Sequence, residues 1–301
     1  MKPLSQSRIV IIGLGLIGGS LARALRRALP DAAITGVGRD EAALQRALAD
    51  DSITGYATHM RIACLHADVV VLGLPVLSIE AALREIQPVL PPQAVLTDVG
   101  SVKGEVIAAV QRVFGTVPAR FVPGHPIAGS ERSGYDASLA SLFQGRKTIL
   151  TPLAQTDPEA LTLVRGLWQL TGAEVVDMSA EHHDAVLAAT SHLPHLLAFA
   201  LVDTLSHQGE SEEIFRFAAG GFRDFTRIAS SDPVMWRDIF LTNGEATVAV
   251  LDRFIGDLAN VRQALLDKDA QALHDLCRRA RESRARFLAL LQNAPRPPES
   301  D

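Results

Sequence analysis

The sequence predicts an α/β protein: a doubly wound parallel sheet in the first half and an all-helical second half. Three observations predict it. Short apolar runs alternate with helical patterns from Arg8 to Val176. A glycine-rich turn, Gly13-Leu14-Gly15-Leu16-Ile17-Gly18, stands between the first apolar run and the first helical pattern. From Ser179 onward the strand signals stop. Strands that alternate with helices pair in parallel, because each helix carries the chain back to the end of the sheet where it started.

Arg8-Ile9-Val10-Ile11-Ile12 is a continuous apolar run, as expected of a strand buried on both faces. In the turn that follows, Gly13 permits a sharp bend, Gly15 lets the backbone approach a pyrophosphate, and Gly18 lets helix and strand pack closely. The helix entered through Ser20-Leu21-Ala22 then faces phosphate charge with its N-terminus. GxGxxG alone also describes an ordinary glycine-rich turn. Its place between strand and helix makes it a Rossmann-type dinucleotide site.

The second strand is Ala33 to Val37. An NAD site usually ends this strand with Asp or Glu, which holds the ribose 2′-hydroxyl. Here Gly38 and Arg39 follow. A missing carboxylate removes repulsion toward a 2′-phosphate and Arg39 can grip it, so NADP is favoured over NAD. The other readings are a surface Arg39, or a carboxylate supplied by Asp40 from a shifted position. Asp68 to Leu72 runs out into Gly73-Leu74-Pro75, and Ala94 to Asp98 into Val99-Gly100-Ser101-Val102-Lys103. Helical patterns at Glu41–Ala49, Ser78–Leu90 and Lys103–Phe114 separate the strands, and Lys147–Leu150 and Glu174–Val176 are the last strands.

Ligands bind such sheets outside the carboxyl ends of the strands. Two side chains with useful chemistry fall there. Arg120-Phe121-Val122-Pro123 reads as a short strand, and His125 follows in Gly124-His125-Pro126-Ile127-Ala128-Gly129-Ser130-Glu131. Between Gly124 and Pro126 the loop is tight and stiff. A general base has to be held within hydrogen-bond reach of its proton, which is what such a loop provides. The same residues also describe a plain loop histidine. Ser101 can bond both a substrate hydroxyl and an imidazole, or it can cap the Lys103 helix.

In the second half, Ala180–Gln208, Asp232–Leu266 and Asp269–Gln292 read as helices. Asp232-Pro233 is a start signal, an Asp cap with Pro at the first helical position. A helix from there to Leu266 is roughly 50 Å long at about 1.5 Å per residue. Its apolar residues lie on more than one face, so a partner subunit is a natural neighbour. Ser191-His192-Leu193-Pro194-His195 puts two histidines near one turn. Without HExxH or a third ligand at supporting spacing, metal binding is disfavoured, and a helix kink at Pro194 is the other reading. Gly220-Gly221 interrupts the helical pattern and presents Arg227 near Trp236-Arg237. A guanidinium fork suits a carboxylate, although Arg227 is one of 25 arginines and can equally be surface.

The 301 residues allow two domains, read here as 1–178 and 179–292, with a Pro-rich polar tail at 293–301 expected to be disordered. A net charge of −5 argues against nucleic acid or an anionic membrane as partner. Cys64 and Cys277 are far apart and form no CxxC, which fits a reducing compartment. The apolar run Ile9–Ile12 is too short for a signal peptide, and no stretch is expected to span a membrane, so the expected location is the cytoplasm.

Taken together, the glycine loop, Asp98-Val99-Gly100-Ser101-Val102-Lys103, Gly124 to Glu131, Ser191 to His195, and Gly220 to Arg227 with Asp232-Pro233 and Trp236-Arg237 resemble the prephenate/arogenate (cyclohexadienyl) dehydrogenase family of tyrosine biosynthesis. The resemblance runs from about residue 7 to 292. It implies an NAD(P)-dependent oxidative decarboxylation of prephenate or arogenate, with a helical domain that forms a homodimer. It implies that His125 takes the proton of the ring hydroxyl and that Ser101 bonds that hydroxyl and orients the histidine. Arg227 would grip a substrate carboxylate, with His192, His195, Ser130 and Trp236 around the substrate and Glu131 and Asp224 shaping its entrance. Gly13 to Gly18, Arg39, Leu74, Pro75 and Ser101 would hold the cofactor, and no metal is implied. With no mutase-type segment before the glycine loop and no regulatory segment after residue 292, tyrosine inhibition would be competitive at the active site. An NADP-dependent β-hydroxyacid or imine dehydrogenase is disfavoured, because many such enzymes use a lysine on the second domain and Lys268 is the only lysine beyond residue 150. A catalytically silent nucleotide sensor is disfavoured by the intact set of Ser101, His125 and Arg227.

Overall fold

The computed structural model describes residues 2–208 and 211–292, so the tail at 293–301 lies outside the described residues. Six parallel strands form the main sheet: β1 (Arg8–Ile12), β2 (Ala33–Val37), β3 (Gly55–Ala57), β4 (Val69–Leu72), β5 (Val95–Asp98) and β6 (Phe121–Val122). Their spatial order is β3-β2-β1-β4-β5-β6. The order reverses between β1 and β4, which opens a crevice outside their carboxyl ends. The connecting helices are α1 (Leu16–Ala28), α2 (Glu41–Ala49), α3 (Met60–Cys64), α4 (Val76–Ile86) and α5 (Lys103–Phe114). Alternate strand residues point to opposite faces. Ile9, Ile11, Val69 and Val71 join one buried cluster, and Val10, Ile12, Val70 and Leu72 the other. The apolar runs are continuous because both faces are covered.

Several elements differ from expectation. The short β3 and α3 carry too little pattern to be read from sequence. The helix expected at Ser78–Leu90 is shifted to Val76–Ile86; Pro88 lacks the amide hydrogen that would continue it. Lys147–Leu150 and Glu174–Asp177 do not extend the main sheet. As β8 and β9 they join β7 (Gly124–Pro126) in a separate three-stranded sheet, β7 antiparallel to β8 and β8 parallel to β9. His125 therefore sits in a strand, opposite Ile149, and not in a loop. The switch of sheets falls at Pro123, which has no amide hydrogen to give to β5. The helix α6 (Pro158–Gln169) links β8 to β9.

The second half holds α7 (Ala180–Leu187), α8 (Leu193–Ser206), α9 (Ser211–Arg216), α10 (Gly220–Thr226), α11 (Pro233–Thr242), α12 (Gly244–Leu266) and α13 (Ala270–Gln292). A π-helical turn at Ala188–His192 joins α7 to α8. Expected at Pro194, the irregularity lies just before it: Pro194 cannot donate to the carbonyl of residue 190, and the preceding ladder shifts register. Gly220-Gly221 opens a short helix and does not interrupt one. The single helix expected over 232–266 breaks at Asn243, with φ −111° and ψ 31°, where the side-chain Nδ2 donates to the Asp184 carbonyl at 2.9 Å. Trp236 and Ile239 of α11 enter the buried cluster of Val76 and Ile79, which seats the helical half on the sheet. Contrary to expectation, the continuous helix Ala180–Ser206 is long and apolar enough to span a membrane by length and composition. It also carries His192 and His195, and only 28% of its apolar window is buried here.

Candidate active site

The loops after β1 and β4 meet backbone to backbone. Gly13 has φ +98°, and its amide donates to the Val37 carbonyl at 2.7 Å. A Cβ on Gly13 would stand 2.3 Å from the Gly73 carbonyl oxygen, and one on Gly18 would stand 2.0 Å from that of Gly13. No larger residue fits either position. Gly15 differs: a Cβ there meets nothing within 4 Å, so the space over it is open. The helix α1 begins at the next residue, with no side-chain cap and no acidic residue in its first turn. Free amides beside an open cradle fit the pyrophosphate of a dinucleotide. The side chain of Leu14 folds inward over Gly36, while Leu16 and Ile17 are half-buried and Leu74 and Pro75 continue from Gly73. Arg39 is exposed just past β2. Asp40 commits Oδ1 to capping α2 through the Ala43 amide at 3.1 Å.

The strand carrying His125 is clamped from the end of β5. Buried Asp98 accepts the Gly100 amide at 2.7 Å and the Gly124 amide at 3.1 Å. Fully buried Lys103 ion-pairs with Asp98, and its Nζ donates to the Gly124 carbonyl at 2.7 Å. Both backbone groups of Gly124 are thereby fixed one residue before His125. Burial pushes the Lys103 ammonium below its usual value, and Asp98 opposes the shift. Removing either partner alone would leave an unpaired charge in the interior, at a cost of about 3–5 kcal/mol.

The His125 ring is buried and bonds a second imidazole: Nδ1 lies 2.8 Å from Nε2 of His183. Nδ1 of His183 lies 2.7 Å from Oδ1 of Asp184. The Asp184 carboxylate also accepts the Lys103 and Gly104 amides, each at 2.8 Å. One reading of Ser101 is therefore revised: Asp184, not Ser101, caps α5. Nδ1 of the His125 ring is taken by His183. Ser101 is half-buried at the turn into α5. His183, Asp184, Lys103 and Asp98 escaped sequence reasoning as site residues, since the partners of Asp184 lie about 80 positions away. The adjacent pair His183-Asp184 at the start of the helical half was the available signal.

His192 and His195 continue the row. Nδ1 of His192 lies 3.0 Å from Nδ2 of Asn243, and burial lowers its pKa to about 4. His195 stacks on Trp236 at 3.7 Å between ring centroids and bonds the Ser191 carbonyl through Nδ1 at 2.8 Å. Burial lowers His195 as well. His125 is held well below the ordinary imidazole value, first by burial and then by His183, Lys103 and His192. The row thus presents uncharged imidazoles. At the rim, the Arg227 guanidinium donates to Glu131 at 3.0 Å, with both side chains exposed. Ser130 turns its hydroxyl to the Arg132 amide at 3.1 Å, and Asp224 is exposed on α10. The structure thus brings His125, His192, His195 and Trp236 into one wall and Glu131 and Arg227 into its rim. It leaves Ser130 and Asp224 at the surface.

A nucleotide cradle, a buried imidazole with a lowered pKa and an exposed guanidinium together suit oxidation of a hydroxylated carboxylic acid. Residues 21–177 match the family model described as prephenate dehydrogenase, nucleotide-binding domain, and residues 179–279 match prephenate dehydrogenase, dimerization domain. Cyclohexadienyl dehydrogenase of Zymomonas mobilis is 39% identical over 279 residues, covering 92% of this chain and 94% of that protein. Prephenate dehydrogenase of Bacillus subtilis is 38% identical over 283 residues, covering 92% of this chain and 75% of that protein. The crystal structure of prephenate dehydrogenase from A. aeolicus, in complex with hydroxyphenyl propionate and NAD+, superposes with a TM-score of 0.88 at 37% identity, covering 95% of this chain and all of that one. The chain belongs to the prephenate dehydrogenase family.

Proposed function

We propose that the protein oxidatively decarboxylates prephenate, and arogenate as a second substrate, to 4-hydroxyphenylpyruvate or tyrosine. The observation that carries this reading is the buried imidazole of His125, its pKa lowered by burial, just past the carboxyl end of β6 in the sheet that also carries the glycine loop. A bound nicotinamide supplies the hydride acceptor. The hydroxyl of the cyclohexadienol needs a base as hydride leaves its carbon, and His125 accepts that proton. Carbon dioxide leaves the opposite ring carbon, the ring becomes aromatic, and the proton returns to the phenolate oxygen. Arg227 anchors a substrate carboxylate, exchanging its bond to Glu131 for one to the ligand. Ser101 completes the grip on the hydroxyl from the turn into α5. His192, His195 and Trp236 form the wall against the ring, with Ser130, Glu131 and Asp224 at the entrance.

For the cofactor we favour NADP. Gly38 stands where a carboxylate would select NAD, with Arg39 next to it, and the carboxylate of Asp40 is engaged in capping α2. The backbone of Gly13 to Gly18 and the Gly73-Leu74-Pro75 turn hold the nucleotide. We divide the chain at 178/179 into nucleotide and substrate/dimerisation domains, placed in the cytoplasm. The helical domain pairs two chains. It exposes Ile255, Leu258, Leu265, Leu266, Phe287 and Leu290 along α12 and α13, apolar surface of the kind a second copy would cover. Tyrosine, a phenol with a carboxylate, competes for the same cleft. The test is absorbance at the reduced-nicotinamide band on mixing the protein with prephenate or arogenate and NADP or NAD. Reduction with prephenate and faster turnover with NADP support the reading; no reduction in any combination refutes it. Sedimentation should give twice the 32.3 kDa chain mass, and Leu258→Glu should return it to monomer.

A further inference from the structure

His125 is one end of a chain of three groups, two buried imidazoles and the half-buried Asp184, and the chain has only one consistent direction. The ionised Asp184 carboxylate accepts hydrogen bonds and cannot donate. Its neighbour at 2.7 Å, Nδ1 of His183, must carry a proton. A neutral His183 protonated there has a bare Nε2, and that atom lies 2.8 Å from Nδ1 of His125. Nδ1 of His125 must then donate, which leaves the lone pair of this imidazole on Nε2. Asp184 in turn is fixed by the two first amides of α5 and cannot turn away. The rings meet edge-on, 65° apart, with centroids 5.1 Å apart.

We propose that the proton of the substrate hydroxyl does not rest on His125 but is passed to His183, held beside Asp184 and returned by the same route. This inference rests on the proposed dehydrogenase reading. The balance is as follows. The substrate O–H bond breaks and the proton goes to Nε2 of His125. The proton on Nδ1 of His125 moves to Nε2 of His183. His183 becomes an imidazolium paired with the Asp184 carboxylate, and His125 stays neutral with its proton on the other nitrogen. When carbon dioxide has left, both shifts reverse and the phenolate oxygen regains a proton, so the chain finishes as it began.

The surroundings favour charge on His183 over charge on His125. Toward His125 face His183, the Lys103 ammonium and His192, all of which oppose a cation there. Burial disfavours a cation on either ring, but toward His183 face Asp184 and Asp98, which favour one, with Lys103 opposing it. His183 has no exposed surface, so water cannot take the proton in its place. His183 does not touch substrate in this account; it acts through His125.

The decisive variant is His183→Gln. Its amide oxygen can still accept from Nδ1 of His125 and its amide hydrogens can still meet Asp184, but it cannot take up a proton. The expected result is a kcat at least about 10-fold lower, with the KM for prephenate within about twofold of wild type. A role in orientation alone would leave kcat within twofold, and that result overturns the proposal. A His125→Asn enzyme measured alongside separates the two readings. If His125→Asn is inactive and His183→Gln normal, the relay fails and the dehydrogenase reading stands; if His125→Asn is normal, the base itself fails. Nitrogen-15 histidine spectra of the wild-type protein give a readout free of turnover and decide the matter if the variant does not fold. His125 protonated on Nδ1 and bare on Nε2 at neutral pH is the expected tautomer; the reverse breaks the chain and overturns the proposal.

Discussion

In the interior of the site His125, His183 and Lys103 are buried and each is tied to a named partner, whereas at the rim Arg227 and Glu131 keep 59% and 40% of their side-chain surface in water. The difference in solvent decides what each region can do. A buried imidazole is held neutral and in one tautomer, which suits it to accept a proton. An exposed ion pair costs little to exchange, because water screens both partners before and after. Arg227 can therefore give up Glu131 for a ligand carboxylate. The wall is suited to chemistry and the rim to capture.

Substitutions sharpen that contrast. The largest effect is expected at the wall: His125→Asn should lower kcat by about 100- to 10,000-fold, the usual worth of a general base, with little change in KM. Steady-state kinetics with prephenate check this. At the rim, Arg227→Ala should raise KM by about 10- to 100-fold, the worth of a hydrogen bond to a charged group, with kcat changed far less. Equal losses in kcat at both positions would erase the contrast. A smaller effect is expected at Arg39, where Ala should narrow the preference for NADP over NAD and leave kcat with saturating cofactor nearly unchanged.

The pH dependence follows from burial. His125 has to be neutral, and burial lowers its pKa, so the acid limb of kcat/KM should lie below 6.5 and not at it. Stability moves in the same direction. His125, His183, His192 and His195 all have lowered values in the folded state. Below the unfolded value, near 6.5, the unfolded chain binds more protons than the folded one, and stability falls as pH falls. For His192 the window runs from 6.5 down to about 4. Thermal melts across that interval should show a declining Tm; a flat Tm would mean that the imidazoles are not buried neutral.

Much of the molecule was legible because it is local. The glycine loop, the strand end at Asp98 and the exact span of α5 follow from runs of adjacent residues, while the strand expected over 120–123 is held to Phe121–Val122. Residues that match a contiguous motif, such as His125 and Arg227, could be picked out singly. What could not be read is pairing across the chain. The His125–His183 bond joins positions 58 apart, and the Asp184 cap of α5 joins positions 81 and 80 apart. Ser101 looked like the cap because it precedes α5 in sequence, and a capping carboxylate on a distant helix leaves no trace there. The break at Asn243 was hidden for the same reason, since its side chain serves Asp184 and His192 and not its own helix. The second sheet was missed because strand patterns do not say which sheet a strand joins.

The central claim is that the neutral imidazole of His125 meets the ring hydroxyl of the substrate. A crystal structure of the protein with a 4-hydroxyphenyl carboxylic acid and oxidised nicotinamide nucleotide tests it directly. The account predicts Nε2 of His125 at about 3 Å from the phenolic oxygen, with Arg227 turned from Glu131 to the acid. A phenolic oxygen held by other groups, with the His125 ring out of hydrogen-bond reach, would contradict it.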